Sequence, residues 1–386
     1  MARHTRSGKE HSHSAREKVN RLLDSPLRAI AEKVGRDLEV AECAFNDGAL
    51  PLDKLAKLCS YVSELSDRLP QTFGQRFFFD TAMIRAIAND WGGSLTLSDM
   101  VIPCYGWEWG HARLQMPSED RHHAHVVDLI LLPGGDRLDD VDLLRYPLIA
   151  HELGHYWLFR DDSSFMNAFA SSLAKRVRSL RLASIADQGP ARTKAKAIIH
   201  ELQKRWMPSG DHKNWAHELA IDLMALWTCG PAYLACFHDE VEGAHINPFQ
   251  VSQDHPPYAV RLDALVKCGR ELGFEDDCRG LEVVRAKWNR LPRREGERNL
   301  FLVLADRELI ADCTRCALAS CRALKIRQCT PSTVEAARRS LEGDPEESSG
   351  VKLLLHARLV LRQKGKPAFE TWERAAVERI ARGLGS

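Results

Sequence analysis

Apolar residues recur along most of this chain at intervals of three and four, and only one stretch alternates more tightly. REKVNRLLDSPLRAIAEKV, PLDKLAKLCSYVSELSDRL and QRFFFDTAMIRAIANDW show the longer interval, which places them on one face of an α-helix. Pro51 suits a helix start, and Gly92-Gly93 ends the third segment. Between Ser94 and Gly135 the period shortens, so LTLSDMVIPCYGWEW and HAHVVDLILLPGG read as strands separated by a polar loop. The helical period returns in RLDDVDLLRYPLIAHELGHYWLFRDD, which can restart at Pro147. It continues in SSFMNAFASSLAKRVRSLRLASIA, ARTKAKAIIHELQKRW, HKNWAHELAIDLMALWTC and PYAVRLDALVKCGREL. FHDEVEGAHINPFQVSQDHPP reads as an irregular loop, and LEGDPEESSG as a linker between helices.

The pattern predicts an α+β chain that is mostly helical, with one small sheet. A length of 386 residues exceeds a single ordinary core. The expected divisions are a disordered tail over residues 1–15, a helical region over 16–93, a central region of sheet and helices over 94–285, and a helical region over 286–386. Composition changes this picture little: 44% apolar and 28% charged residues describe a globular chain.

Charge narrows the partners. Lys plus Arg number 54 against 53 Asp plus Glu, so a net charge of +1 gives no general attraction to nucleic acid or an anionic membrane. The basic helices near residues 175–205 contain no recognisable nucleic-acid reader, and no such partner is expected. The longest apolar run, Ile221 to Phe237, is interrupted by Asp222 and by Gly230-Pro231 and falls short of a membrane span. A polar, basic N-terminus lacks the apolar segment of a secretory signal, and eleven cysteines without a regular framework fit a reducing compartment. A cytoplasmic location is expected.

Candidate chemistry lies in YPLIAHELGHYWLF, residues 146–159. His151 and His155 are one helical turn apart on one face, so their ring nitrogens can meet one divalent ion. Glu152 leans toward the same place and can take a proton from metal-bound water. Gly154 costs about 1 kcal/mol relative to alanine inside a helix, and a close approach by another backbone or a substrate would account for it. Two histidines need a third ligand. Glu218 in NWAHELAIDLMAL is favoured, with His217, His212, His245 and His255 as rivals. His217 points about 100° away from Glu218 on a helix. Asp222, one turn after Glu218, can accept the outer ring proton of His151 and fix its tautomer.

Together, HELGH at 151–155, ELAID at 218–222 and HPPYAVR at 255–261 resemble the gluzincin zinc metallopeptidases, nearest the CAAX prenyl protease and HtpX-like group. The resemblance spans about residues 95 to 270. It implies a zincin-like core flanked by helical extensions, and zinc held by His151, His155 and Glu218. It also implies Glu152 as the base, Asp222 behind the ligands, and His255 and Arg261 lining the cleft. The familiar members are membrane-embedded, which this chain is not expected to be.

The resulting expectation is an endopeptidase that hydrolyses a protein or peptide by metal-activated water, without an acyl-enzyme. His255 is the best further donor to the developing oxyanion, unless it is a loop histidine held by the following prolines. Arg261 either pairs with Asp222 or forms a surface ion pair. A substrate strand could add to the edge of HAHVVDLILL. The helical flanks could receive a regulatory partner. The competing expectation is a catalytically silent zinc-bearing regulatory or interaction module, although a purely structural site has no use for Glu152. Cys313, Cys316, Cys321 and Cys329 could form a second, structural metal site or a redox sensor, but the helical pattern between them favours buried helix cysteines.

Overall fold

The computed structural model describes residues 28–47, 49–68, 75–91, 101–106, 109–115, 126–134, 137–185, 190–207, 214–243, 247–253, 255–291, 301, 304–341 and 349–383. The expected tail over 1–15 and residues 342–348 of the expected linker lie outside them. Among the described residues three helices come first, α1 (Arg28–Asn46), α2 (Leu52–Arg68) and α3 (Gln75–Asp90), followed by strands β1 (Val101–Gly106), β2 (Gly110–Gln115) and β3 (Val126–Pro133). Helices α4 (Pro147–Ile185), α5 (Pro190–Trp206), α6 (Trp215–Cys229), α7 (Pro231–Gly243), α8 (Tyr258–Glu271) and α9 (Glu275–Asn289) come next. The last four are α10 (Arg307–Ala323), α11 (Pro331–Arg339), α12 (Gly350–Lys364) and α13 (Lys366–Gly383). The described chain is therefore mostly helical with one small sheet. No described helix is long and apolar enough to cross a membrane.

Packing groups these elements into two units. One takes residues up to Arg85, Leu97–Val141 and those from Val377 onward, and the other takes Ala86–Thr96 and Asp142–Ala376. The divisions expected at residues 93 and 285 are not the ones the packing makes. The sheet groups with the N-terminal helices, whereas α10 packs on α4 and α6 and belongs with them.

In the first unit the strand order is β1-β3-β2, with β1 parallel and β2 antiparallel to β3. Residues 110–115 therefore pair as a strand instead of forming part of a polar loop. Main-chain bonds to β3 set their conformation despite a polar sequence. This placement also corrects the expected docking edge. β3 is the middle strand, with both sides occupied, and has no free edge for a substrate. Buried Arg76 of α3 ties to the sheet by donating to Pro133 O at 3.1 Å, and within the helix it donates to Asp80 Oδ2 at 3.2 Å. Tyr105 donates to the same Asp80 oxygen at 2.9 Å.

The second unit is built around α6, all of whose residues are buried. A helix apolar on every side belongs in the middle of a core, and α4, α7, α8 and α10 pack against it. Asn214 caps its start by accepting from His217 N, and Gly230 ends it at φ +53°. A Cβ on Gly230 would lie 2.6 Å from Cys329 Sγ, so both conformation and space require glycine there. The buried indoles of Trp206 and Trp227 donate to Leu304 O and Ile326 O, each at 3.0 Å.

Two helices run further than their sequences suggest. Residues 147–185, expected as two helices, form one helix of 39 residues. Asp161 to Ser164 weaken helix propensity, but neither glycine nor proline follows Gly154, and buried Phe165 and Phe169 stack at 6.2 Å to carry the helix onward. Residues 237–243, expected in a loop, continue α7. Pro231 starts that helix and buried Val241 anchors its last turn.

Candidate metal centre

The first three turns of α4 carry His151, Glu152, Gly154 and His155, and α6 presents Glu218 and Asp222 one turn apart. The helices approach closely because Gly154 has no side chain. A Cβ there would stand 2.7 Å from Ile221 Cγ2 on α6. The close approach that the glycine implied is thus made by a side chain of the neighbouring helix.

This approach brings Glu218 between the two histidines. Its Oε2 lies 3.6 Å from His151 Nε2, and its Oε1 lies 3.6 Å from His155 Nε2. One ligand atom from each of His151, His155 and Glu218 falls within 4.8 Å of the others, the only such group among the described residues. Glu152 Oε2 is 4.0 Å from His155 Nε2, beside this group.

Behind the group, fully buried Asp222 receives His151 Nδ1 at 2.9 Å. Arg261 of α8 donates from Nε to Asp222 Oδ2 at 2.6 Å and from Nη2 to Oδ1 at 2.8 Å. The guanidinium lies over the rings of Phe237 and Tyr258, at 5.2 and 5.4 Å from their centroids. Of the two positions expected for Arg261, the structure selects the buried pair.

Tyr233, which the sequence did not single out, donates to Asp222 Oδ1 at 2.6 Å. Its apolar surroundings in GPAYLACF conceal it. The available signal was a phenol in a buried helix, which needs a polar partner.

The rival ligands divide. His217 Nδ1 is 2.9 Å from Asn214 Nδ2 and stands outside the group. His255 is 55% exposed, with Nε2 at 3.6 Å from Glu218 Oε2, which places it at the rim. Its backbone is held by a reciprocal pair of bonds with the Ser252 hydroxyl. His212 and His245 lie outside the described residues. The sulfurs of Cys313, Cys316, Cys321 and Cys329 do not gather into a site. Cys313, Cys316 and Cys321 are buried thiols of α10, as the helical pattern suggested, whereas Cys329 is a buried thiol of the non-helical segment after it.

Burial works against charge at each of these positions, and its neighbours decide the outcome. For His151 it disfavours the imidazolium, yet Asp222 and Glu218 push the ring up to about 10. For Glu218 burial raises the carboxyl, but His155, His151 and His255 bring it down to about 2. Asp222 is likewise raised by burial, and Arg261 with His151 holds it well below the usual carboxylate range. Burial pushes Glu152 up to about 7 against the pull of His151.

This donor set fits a divalent cation. Glu218 Oε2 is buried and makes no hydrogen bond, a costly condition that a cation would relieve. The carboxylates that favour a proton on His151 would favour a metal at Nε2 in its place, because a ligating histidine must give up that proton. Compared with family models, curated proteins and solved structures, the chain matches none.

Proposed function

We propose that the chain is a zinc-dependent endopeptidase with a zincin-like core of the gluzincin kind. The observation that carries this reading is the convergence of His151, His155 and Glu218 from two helices, with Glu152 beside them and Asp222 behind. Two imidazoles and one carboxylate suit zinc with a position left for water. His151 and His155 would hold the metal through Nε2, and Glu218 through its carboxylate. When bound, zinc supplies polarisation of the scissile carbonyl and acidification of a water.

The chain's own groups supply the remaining steps. Glu152, with no ligand duty, takes the proton of the attacking water and delivers it to the leaving nitrogen. Asp222 keeps Nδ1 of His151 protonated, which turns the Nε2 lone pair toward Glu218. Arg261 balances the charge of Asp222 in the interior. From the rim, His255 donates to the oxygen that gains charge as water adds. A peptide or protein is the proposed substrate, with the cytoplasm as its setting.

A silent, structural site would need a fourth protein ligand. His255 Nε2, though 3.6 Å from Glu218 Oε2, does not lie within 4.8 Å of all three ligand atoms, and Glu152 would then have no task.

The test begins with metal per purified chain. One zinc is expected in the parent, and its loss or weakening in Glu218→Ala. A zinc-loaded chain should then cleave members of a quenched peptide library, and Glu152→Gln should lower that rate by about 10²–10⁴ with metal retained. Full metal in Glu218→Ala, or parental rates in Glu152→Gln, would overturn the proposal.

A further inference from the structure

Asp222 Oδ1 is shared by three donors: His151 Nδ1 at 2.9 Å, Arg261 Nη2 at 2.8 Å and Tyr233 Oη at 2.6 Å. Arg261 binds both carboxylate oxygens as a fork. Tyr233 binds only the oxygen that His151 uses. We propose that Tyr233 is a positioning residue for the metal ligand His151, acting through Asp222 to hold the ring with Nδ1 protonated and Nε2 directed at Glu218. This inference deepens the zinc-site reading above and rests on it.

The argument turns on where the phenol's hydrogen goes. At 2.6 Å from Asp222 Oδ1 it is committed to the carboxylate, because Asp222 can only accept. The phenol oxygen also lies 3.4 Å from His151 Nδ1. That ring nitrogen therefore faces two oxygens. A proton on Nδ1 is attracted by both, whereas a lone pair there would be repelled by both. The favoured tautomer leaves Nε2 as the ligating atom. An ordinary core tyrosine needs only some acceptor such as a carbonyl, but Tyr233 has as its partner the carboxylate that backs a ligand.

Chain geometry explains how a residue so close in sequence reaches this place. Gly230 breaks α6 at φ +53°, and Pro231 starts α7 at once. Tyr233, fully buried, thereby returns to Asp222 eleven residues before it. The Gly-Pro interruption of the apolar run thus delivers a hydroxyl to the ligand's support.

Two measurements on the full chain test this. The first is Zn²⁺ affinity of the parent and Tyr233→Phe by competition with a coloured chelator. We expect the variant to bind about 10-fold or more weakly, as for loss of other groups that support a ligand. The second is ¹⁵N NMR of the ring nitrogens of labelled histidine in chelator-treated protein, with His151 assigned by its loss in His151→Gln. Followed to a pH at which the ring is neutral, the parent should keep the His151 proton on Nδ1, and Tyr233→Phe should show a weakened preference.

Affinity within twofold of the parent together with an unchanged His151 spectrum would make Tyr233 only a core residue and overturn the inference. A neutral His151 ring that keeps its proton on Nε2 in the parent, leaving Nδ1 bare, would overturn it without any variant, should Tyr233→Phe fold poorly. A parent that binds no Zn²⁺ overturns the metal reading and with it the ligand-positioning role given to Tyr233. The ring spectrum, which needs no metal, still separates that result from failure of the tautomer argument.

Discussion

The second unit contains two groups of residues whose spacing suggests metal ligands, and their environments differ. At the junction of α4 and α6, donors from separate helices converge within 4.8 Å, and Glu218 Oε2 is buried without a hydrogen bond. Along α10 and the segment after it, the cysteines form no such group. Cys313 Sγ donates to Ala216 O at 3.5 Å, and Cys329 fills the space beside Gly230. Burial raises the thiols of Cys313 and Cys321 and pushes Cys329 up to about 12. Because the thiolate is the metal ligand, burial that favours the thiol disfavours binding. Spacing nominates ligands, whereas convergence and an unsatisfied acceptor distinguish a site from a core.

Substitutions should separate the two regions by what each loses. The largest stability effect is expected from Arg261→Met, which leaves Asp222 charged and buried without its cation. A loss of about 3–5 kcal/mol is expected from urea unfolding. A loss near zero would show that the support behind the ligands does not depend on the ion pair.

Gly154→Ala should cost about 1–3 kcal/mol, since the new methyl meets Ile221. Adding Ile221→Ala should make the pair less damaging than the sum of the two changes. Simple additivity would remove the close helix approach from the account. Cys321→Ala should show the smallest effect, about 1 kcal/mol, with zinc content equal to the parent by mass spectrometry. A fall in bound zinc would place the cysteine region among the metal sites and erase the contrast.

Much of the candidate centre was legible because helical periodicity is local. His151 and His155, and Glu218 and Asp222, share faces by spacing alone. Gly154 marked a close contact, but only the packed structure identifies Ile221 as the neighbour. The third ligand stayed open among Glu218 and four histidines, because pairing of α4 with α6 is decided by tertiary contacts. The role of Tyr233 is not legible for the same reason: its partner lies across a reversal at Gly230 that no periodicity reports. In the fold, Asp161 to Ser164 looked like a break, since local propensity there is poor and the stacking of Phe165 on Phe169 is not encoded by position. Strand β3 could be recognised by its apolar run, but its place between β1 and β2 depends on pairing with distant segments. The grouping of α10 with α4 likewise follows from contacts between residues far apart in sequence.

The complete burial of α6 bears on what metal binding must accomplish. Glu218 and Asp222 are carried by a helix with no solvent face, capped at Asn214 and closed at Gly230. Its amide protons should exchange with solvent only when the whole unit opens. On the proposed zinc reading, the apolar core places the ligands before any ion arrives. Chelation should leave the fold standing, and binding affinity should reflect coordination more than the work of assembling a pocket.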